Sequence, residues 1–211
     1  MQTLHLEDGR TALVIVAHPD DETIWLGGTI MKHPQISWSV FSLCRASDAD
    51  RAPKFNQVCQ NFLQAEPIIT DLDDEDKLSV AETVPLIKQL IKEKIGNRHF
   101  DYLFTHGANG EYGHPRHIGL HLAIQAMIKA NSLHFTTGFY FAYQKETNIN
   151  NEENNKLIPN QPDYILELSD SELKLKKQIV AEQYGYAGDG IDVNYCTNPE
   201  SFKLIQKNTN Q

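Results

Sequence analysis

Short apolar runs alternate with amphipathic stretches along most of the chain. The runs at 11–17 and 100–105 have the length of strands, and they are apolar enough to be buried on both faces of a sheet. Apolar side chains over 80–95 recur at helical spacing, which predicts an amphipathic helix with Gly96 as its stop. This alternation predicts an α/β fold with a Rossmann-like, doubly wound and mostly parallel sheet.

The same pattern predicts the other elements. Further strands are expected at 36–43, 67–70, 136–143 and 164–168, and further helices at 22–32, 53–63, from about 115, and from Ser169, where Ser169 and Glu172 form a capping-box pattern. The Asn-rich stretch at 148–160 is expected to be a surface excursion or lid. We predict a single domain over 1–211, with a core at about 11–185 and a tail at 186–211 that docks through its apolar residues.

Composition narrows the classes of protein. The chain has 211 residues, of which 40% are hydrophobic and 22% charged, as expected for a soluble globular domain. We see no apolar run of signal-peptide or membrane-span length and therefore expect a cytoplasmic protein. A net charge of -9 with dispersed basic residues disfavours a nucleic-acid partner. Cys44, Cys59 and Cys196 are too far apart for a CxxC site and are expected to be buried or spare thiols.

Polar residues with metal-binding chemistry follow the strand at 11–17. His18 and Asp21 are three residues apart at the start of a helix, so both side chains lie on one face and can meet at one ion. Asp20 points elsewhere and is free to act on a water at that ion. An imidazole with a carboxylate suits zinc or another borderline divalent ion. The alternative is that Pro19 and the acidic residues only begin the helix.

A second cluster follows the strand at 100–105. A glycine-rich loop at 106–113 leads to His114-Pro115-Arg116-His117, where two histidines again share a face at a helix start. The loop lacks the GxGxxG spacing of a phosphate cradle. Because the carboxyl ends of parallel strands meet at one edge, we expect the two clusters to be neighbours. Two histidines and a carboxylate, with a spare acid and a spare imidazole, suit metal-assisted hydrolysis.

The two motifs resemble those of the LmbE-like, or PIG-L, N-acetylglucosaminyl de-N-acetylases. Ala17-His18-Pro19-Asp20-Asp21-Glu22 is similar to the family's first motif, and Gly113-His114-Pro115-Arg116-His117 is similar to its second, usually written H-P-D-H. The resemblance spans residues 11 to about 185. It implies an enzyme that removes the acetyl group from an N-acetylated amino sugar of the GlcNAc type, free or conjugated.

The resemblance also implies residue roles. His18, Asp21 and His117 would bind Zn²⁺, with Fe²⁺ as another ion that suits these ligands, while Asp20 would be the general base and His114 the acid or electrostatic stabiliser. The substrate would be contacted by Arg51 and by Asp73 and Asp74 of the acidic loop at 71–76.

Arg116 stands where the family has an aspartate. An arginine there either faces solvent, lowers the pKa of His114, or forks onto an anionic group of the substrate. We expect it to favour an anionic amino-sugar derivative, with another carboxylate orienting His114.

Two other functions compete with this hypothesis. One is a catalytically altered, metal-stabilised sugar-binding module, in which Arg116 reflects lost chemistry. Retention of both Asp20 and His114 favours the enzyme, because a structural zinc needs neither and is usually closed by a fourth protein ligand. The other is a metal-dependent phosphoesterase, which normally needs more carboxylates or a second ion. The sequence leaves a homo-oligomer open.

Overall fold

The computed structural model of the chain describes residues 1–75, 77–147 and 153–206. Within them the strands are β1 (Gln2–Thr3), β2 (Thr11–Val16), β3 (Ser37–Cys44), β4 (Glu66–Leu72), β5 (His99–Thr105), β6 (His134–Phe141), β7 (Tyr143–Thr147), β8 (Glu153–Pro159), β9 (Tyr164–Leu166) and β10 (Glu200–Leu204). The helices are α1 (Asp21–Lys32), α2 (Arg51–Asn61), α3 (Val80–Ile95), α4 (Gly110–Gly113), α5 (Pro115–Lys129), α6 (Asp170–Gln178) and α7 (Ile191–Asn194), with a π-helical turn at Ile179–Gln183.

Eight of these strands form one sheet, in the order β1-β9-β10-β6-β5-β2-β3-β4. The five strands from β6 to β4 are all parallel. The chain runs outward from β2 through β3 to β4, then crosses back to β5 and β6 on the other side of β2. The strand order therefore reverses between β2 and β5, and such a switch point is where open α/β sheets bind ligands.

Helices cover both faces of this sheet, as the sequence predicts. Successive side chains of a strand point to opposite faces, so Val14 packs into one apolar core and Ile15 into the other. The first core includes residues of α1, α2 and the π-helical turn, and the second includes residues of α3 and α5. The doubly wound, mostly parallel architecture is confirmed.

Local signals explain where several elements begin. Capping boxes open both α3, through Ser79 and Glu82, and α6, through Ser169 and Glu172. A β-carbon on Gly28 would lie 2.5 Å from a methyl carbon of Leu168, so the glycine permits a close helix contact at this position. The three cysteines are free and buried, as expected.

The C-terminal part of the chain is more integrated than the expected boundary at 185 suggests. Strand β10 lies inside the sheet, antiparallel to both β6 and β9. The stretch at 148–160 contributes β8, which pairs with β7 in a separate two-stranded sheet, while 148–152 lie outside the described residues. Among the helices described, none combines the length and the apolar character that a membrane crossing requires.

Candidate metal centre and active site

Three side chains bring their donor atoms together at the switch point. His18 follows β2, Asp21 begins α1, and His117 lies in the first turn of α5. Oδ2 of Asp21 is 3.2 Å from Nδ1 of His18 and 3.3 Å from Nε2 of His117, and these two nitrogens are 3.4 Å apart. We call these three residues the donor triad. The structure thus joins the two histidines and the carboxylate that the sequence predicts as ligands.

The spacing of the donor triad fits one small divalent ion. Two ligands bound at about 2.0–2.1 Å in tetrahedral geometry lie about 3.4 Å apart, close to all three observed distances. His106 is a competing donor, since its Nε2 is 3.4 Å from Oδ2 of Asp21. That nitrogen, however, already accepts the backbone N–H of Ala17 at 3.2 Å, and its ring is fully buried. The set containing His18 is therefore the better candidate for a metal site, because His18 also lines the adjoining cleft.

Each donor of the triad is held on its far side by another residue. Nε2 of His18 is 2.8 Å from Oδ1 of Asp74, whose Oδ2 accepts a hydrogen bond from Nε of Arg45. Oδ1 of Asp21 accepts the indole N–H of Trp25 at 2.7 Å. Such outer contacts fix the ring orientation and tautomer of a ligand. Because these contacts engage Nε2 of His18 and Oδ1 of Asp21, the atoms that point to the centre of the donor triad are Nδ1 of His18 and Oδ2 of Asp21.

Glu111 performs this task for His117, and sequence reasoning missed it. Its Oε2 lies 2.7 Å from Nδ1 of both His117 and His106, whose rings stack with centroids 3.7 Å apart. Oε1 accepts the N–H of Gly107. Burial alone would raise the pKa of Glu111, but His106 and His117 lower it to about 2. A carboxylate that is ionised at neutral pH therefore supports the imidazole of His117.

Asp20 is held in an unusual backbone conformation beside the triad. Its φ of 119° is rare for a residue with a side chain, and such strain is commonly found at functional sites. Its Oδ2 accepts a short hydrogen bond from the hydroxyl of Tyr186 and lies 3.8 Å from Nη1 of Arg51. Burial raises the pKa of Asp20 well above its usual range, and the Asp21 carboxylate adds to this effect. A carboxylate tuned in this direction suits proton acceptance near neutral pH.

His114 is the N-cap residue of α5 and is best described as neutral. Its Nδ1 accepts the backbone N–H of Arg116 at 3.2 Å, so the remaining proton is on Nε2. Burial, followed by the nearby His117 and His18, lowers the pKa of His114 to about 3. This corrects the expectation that another carboxylate orients His114, because a backbone N–H occupies Nδ1 and the surroundings disfavour an imidazolium. His114 can donate a hydrogen bond from Nε2.

These residues line a cleft of about 380 Å³, which is within the usual range for small-molecule sites. The segments that follow β3 and β5 contribute Arg45, Arg51 and Tyr112, and one wall comes from the stretch after residue 185, which was expected to be a tail. The full lining is His18, Pro19, Asp20, Asp21, Ile24, Trp25, Arg45, Arg51, Asp74, Tyr112, His114, Tyr186, Asp192 and Tyr195. The guanidinium of Arg51 stacks 4.5 Å from the ring centre of Tyr186.

Arg116 is placed differently from the expectation that it faces solvent or substrate. Its side chain is fully buried. Its guanidinium donates to the backbone carbonyls of Asp73 and Leu78 and to the carboxylate of Asp73. Asp73 therefore contacts Arg116, and Asp74 contacts His18 and Arg45, so both predicted sugar-binding carboxylates have protein partners.

The fold and site together define a Rossmann-like protein with a candidate metal centre of two histidines and one carboxylate at its switch point. Residues 13–128 match the family described as PIG-L, GlcNAc-PI de-N-acetylase. The match covers more than half of the sequence, and the chain belongs to this family, as its two motifs indicate.

Solved structures with the same fold include two deacetylases. The N,N'-diacetylchitobiose deacetylase of Pyrococcus horikoshii superposes with a TM-score of 0.62 at 16% identity, over 93% of this chain and 84% of that one. The pseudoaglycone deacetylase Dbv21 gives 0.64 at 13% identity, over 97% and 100%. GalB, a 4-carboxy-2-hydroxymuconate hydratase from Pseudomonas putida, gives 0.63 at 14% identity, over 96% and 98%. At these identities the similarity establishes the fold.

Proposed function

We propose that this protein is a metal-dependent N-deacetylase that releases acetate from an N-acetylated amino sugar of the GlcNAc type or from its conjugate. The observation that carries the proposal is the donor triad at tetrahedral spacing, with Asp20 and His114 on the same cleft. Membership of the PIG-L family supports the reaction type. The deacetylases that share the fold are compatible with it.

The residues of the chain divide the chemistry between them. His18, Asp21 and His117 would hold Zn²⁺, or another divalent ion such as Fe²⁺, and that ion would supply the Lewis acidity that activates water and polarises the amide carbonyl. Asp20 accepts the proton of the attacking water and later returns it to the amine, so that the amide C–N bond breaks and acetate leaves. The Nε2 proton of His114 stabilises the negative oxygen of the tetrahedral intermediate.

The shape and polarity of the cleft support a sugar substrate. Arg51 and Asp192 offer a donor and an acceptor to hydroxyl groups, while Tyr112 and Tyr195, with ring centres 4.9 Å apart, present aromatic surface. Asp74 lines the same cleft, although both of its oxygens have protein partners. We assign substrate contact to Arg51 and an orienting role on His18 to Asp74.

Acetate release tests the proposal. Metal-loaded wild type, chelator-treated wild type and metal-loaded Asp20→Asn are compared on a panel of neutral and anionic N-acetyl amino sugars. We expect acetate from the first sample, loss of activity after chelation, and recovery when Zn²⁺ is returned. A metal-loaded wild type that binds these sugars without releasing acetate would instead support the sugar-binding module, and the deacetylase proposal would be wrong.

A further inference from the structure

The buried guanidinium of Arg116 is an anchor for the acidic loop. Arg116 lies in the first turn of α5, one residue before the ligand His117. Its Nε donates to the carbonyl of Asp73 at 2.6 Å, its Nη2 to the Asp73 carboxylate at 2.8 Å, and its Nη1 to the carbonyl of Leu78 at 3.0 Å. Two of these bonds go to Asp73 in the acidic loop, and the third goes to Leu78, between that loop and α3.

The first of these bonds acts directly on the residue that orients His18. The carbonyl of Asp73 belongs to the peptide unit that joins Asp73 to Asp74, so Arg116 fixes the plane from which the Asp74 side chain projects. Asp74 then holds Nε2 of His18 through Oδ1 and Arg45 through Oδ2. With Nε2 engaged, Nδ1 of His18 is the nitrogen directed at Asp21 and His117.

We propose that Arg116 is a positioning residue for the metal ligand His18 and that it acts through the Asp73–Asp74 peptide. The inference rests on the metal site of the proposed function. In this role the Arg116 guanidinium stays buried in the protein, and its planar shape lets it donate to three acceptors at once. A lysine has a single nitrogen and cannot reach the same three acceptors, so the role is specific to arginine.

Metal affinity measured by chelator competition, on folded apo-protein titrated with Zn²⁺, tests the proposal without relying on activity. We expect the Kd for Zn²⁺ to rise about 10–100-fold in Arg116→Met and in Asp74→Asn, the usual cost of losing an outer partner of a ligand. The double variant should bind no more weakly than Asp74→Asn alone, because both changes interrupt one connection. Co²⁺ absorption spectra should show an altered ligand field in both single variants.

Matched variants of the same loop control for general disturbance. Lys77 and Glu75 form an exposed ion pair there, with side chains 70% and 68% exposed, and Lys77→Ala should bind Zn²⁺ as wild type does. If Arg116→Met does not fold, Asp73→Asn carries the test, since it removes the charge that pairs with Nη2 and leaves both carbonyl contacts of Arg116 in place. The same carboxylate oxygen also accepts the backbone N–H of Lys77. We expect Asp73→Asn to weaken Zn²⁺ binding by about 3–10-fold, a net hydrogen-bond loss.

A folded Arg116→Met protein with wild-type Zn²⁺ affinity would overturn the proposal, as would unchanged affinity in Asp73→Asn or additive losses in the double variant. These outcomes are separate from failure of the proposed function. Wild type that binds Zn²⁺ but releases no acetate contradicts the deacetylase alone. If wild type releases acetate and Arg116→Met binds Zn²⁺ as tightly as wild type does, only the positioning role is contradicted. Wild type that binds no metal contradicts both.

Discussion

Two of the regions that line the cleft hold their side chains differently. The motif wall comprises residues 18–25 and 106–117, and the C-terminal wall comprises residues 184–195. In the motif wall each donor of the triad has a further polar partner, and these partners are Asp74, Glu111 and Trp25. The C-terminal wall faces the cleft with Tyr186, Asp192 and Tyr195.

The difference reflects what each task demands. Binding an ion requires donor atoms fixed to within a few tenths of an ångström, so ligands need outer partners of their own. Contact with a substrate requires shape and a few well-placed polar groups. We therefore expect changes in the motif wall to alter metal binding and turnover, and changes in the C-terminal wall to alter substrate use with the metal retained.

The largest expected effect separates two residues of the motif wall. His117→Ala should lose both the metal and the activity, because it removes a donor of the triad. Asp20→Asn should keep the metal and lose about 10²–10⁴-fold in kcat, the usual contribution of a general base. Elemental analysis and acetate release on the purified variants measure the two effects. Normal turnover in Asp20→Asn would contradict the role of this carboxylate.

The next effect concerns the support of helix α1, which carries Asp21 of the motif wall and whose Gly28 and Thr29 donate to Glu200. Lys176 and Glu200 form a fully buried ion pair at 2.6 Å. Lys176→Met leaves the carboxylate buried without its cation, and we expect the free energy of unfolding to fall by about 3–5 kcal/mol. Urea unfolding measures it. Lys32→Met is the control, since its pair with Glu172 is about one-third exposed and should cost about 0–1 kcal/mol. Equal losses in both variants would refute the distinction.

A smaller effect is expected at the outer partner of His117. Glu111→Gln preserves the shape of the side chain but removes the charge that two imidazoles share, so the Kd for Zn²⁺ should rise about 10–100-fold. Chelator competition measures the change. Glu22→Gln is the control, because this buried carboxylate accepts from Tyr184 and from the backbone N–H of Asp20. If both variants weaken Zn²⁺ binding equally, Glu111 has no special connection to the ion.

The smallest effect tests the C-terminal wall itself. Tyr186→Phe removes the hydroxyl that donates to Asp20 while keeping the ring under Arg51. Because one hydrogen bond contributes about 0.5–1.5 kcal/mol, kcat should fall about 3–10-fold with Zn²⁺ affinity unchanged. Tyr102→Phe, whose hydroxyl accepts from the backbone of Glu7, is the remote control. Loss of the metal in Tyr186→Phe would remove the contrast between the two walls.

The parts of the site that the sequence could predict are those with local spacing. His18 and Asp21 lie on one face at the start of a helix, and so do His114 and His117. Each pair follows a strand of a parallel sheet, and this was enough to predict that the two motifs meet at one edge of the sheet. The hydrogen bond from Trp25 to Asp21 could have been predicted from helical spacing too, because the two residues are four apart on α1. Helix α3 was predicted at its observed bounds because its apolar spacing and stop signal are both local.

The parts that were missed depend on contacts between distant residues. Glu111 lies in a glycine-rich loop at a φ of 58°, and no periodic pattern marks it as buried. Arg116 looks like a surface residue of a first helical turn until its partners near residue 73 are known. Strand β10 is only five residues long and carries two charged side chains, so its place inside the sheet follows from partners elsewhere in the chain.

The carboxylate of Glu200 joins two parts of the chain that are synthesised at different times. It accepts the backbone N–H groups of Gly28 and Thr29 in the helix that carries Asp21, and its strand lies between β6 and β9. A ribosome that has reached His117 has already supplied the whole donor triad, but the partner that holds this helix lies 83 residues further along the chain. Since N-terminal parts of a chain begin to fold first, the nascent protein has the whole donor triad before the strand that holds α1 has been made.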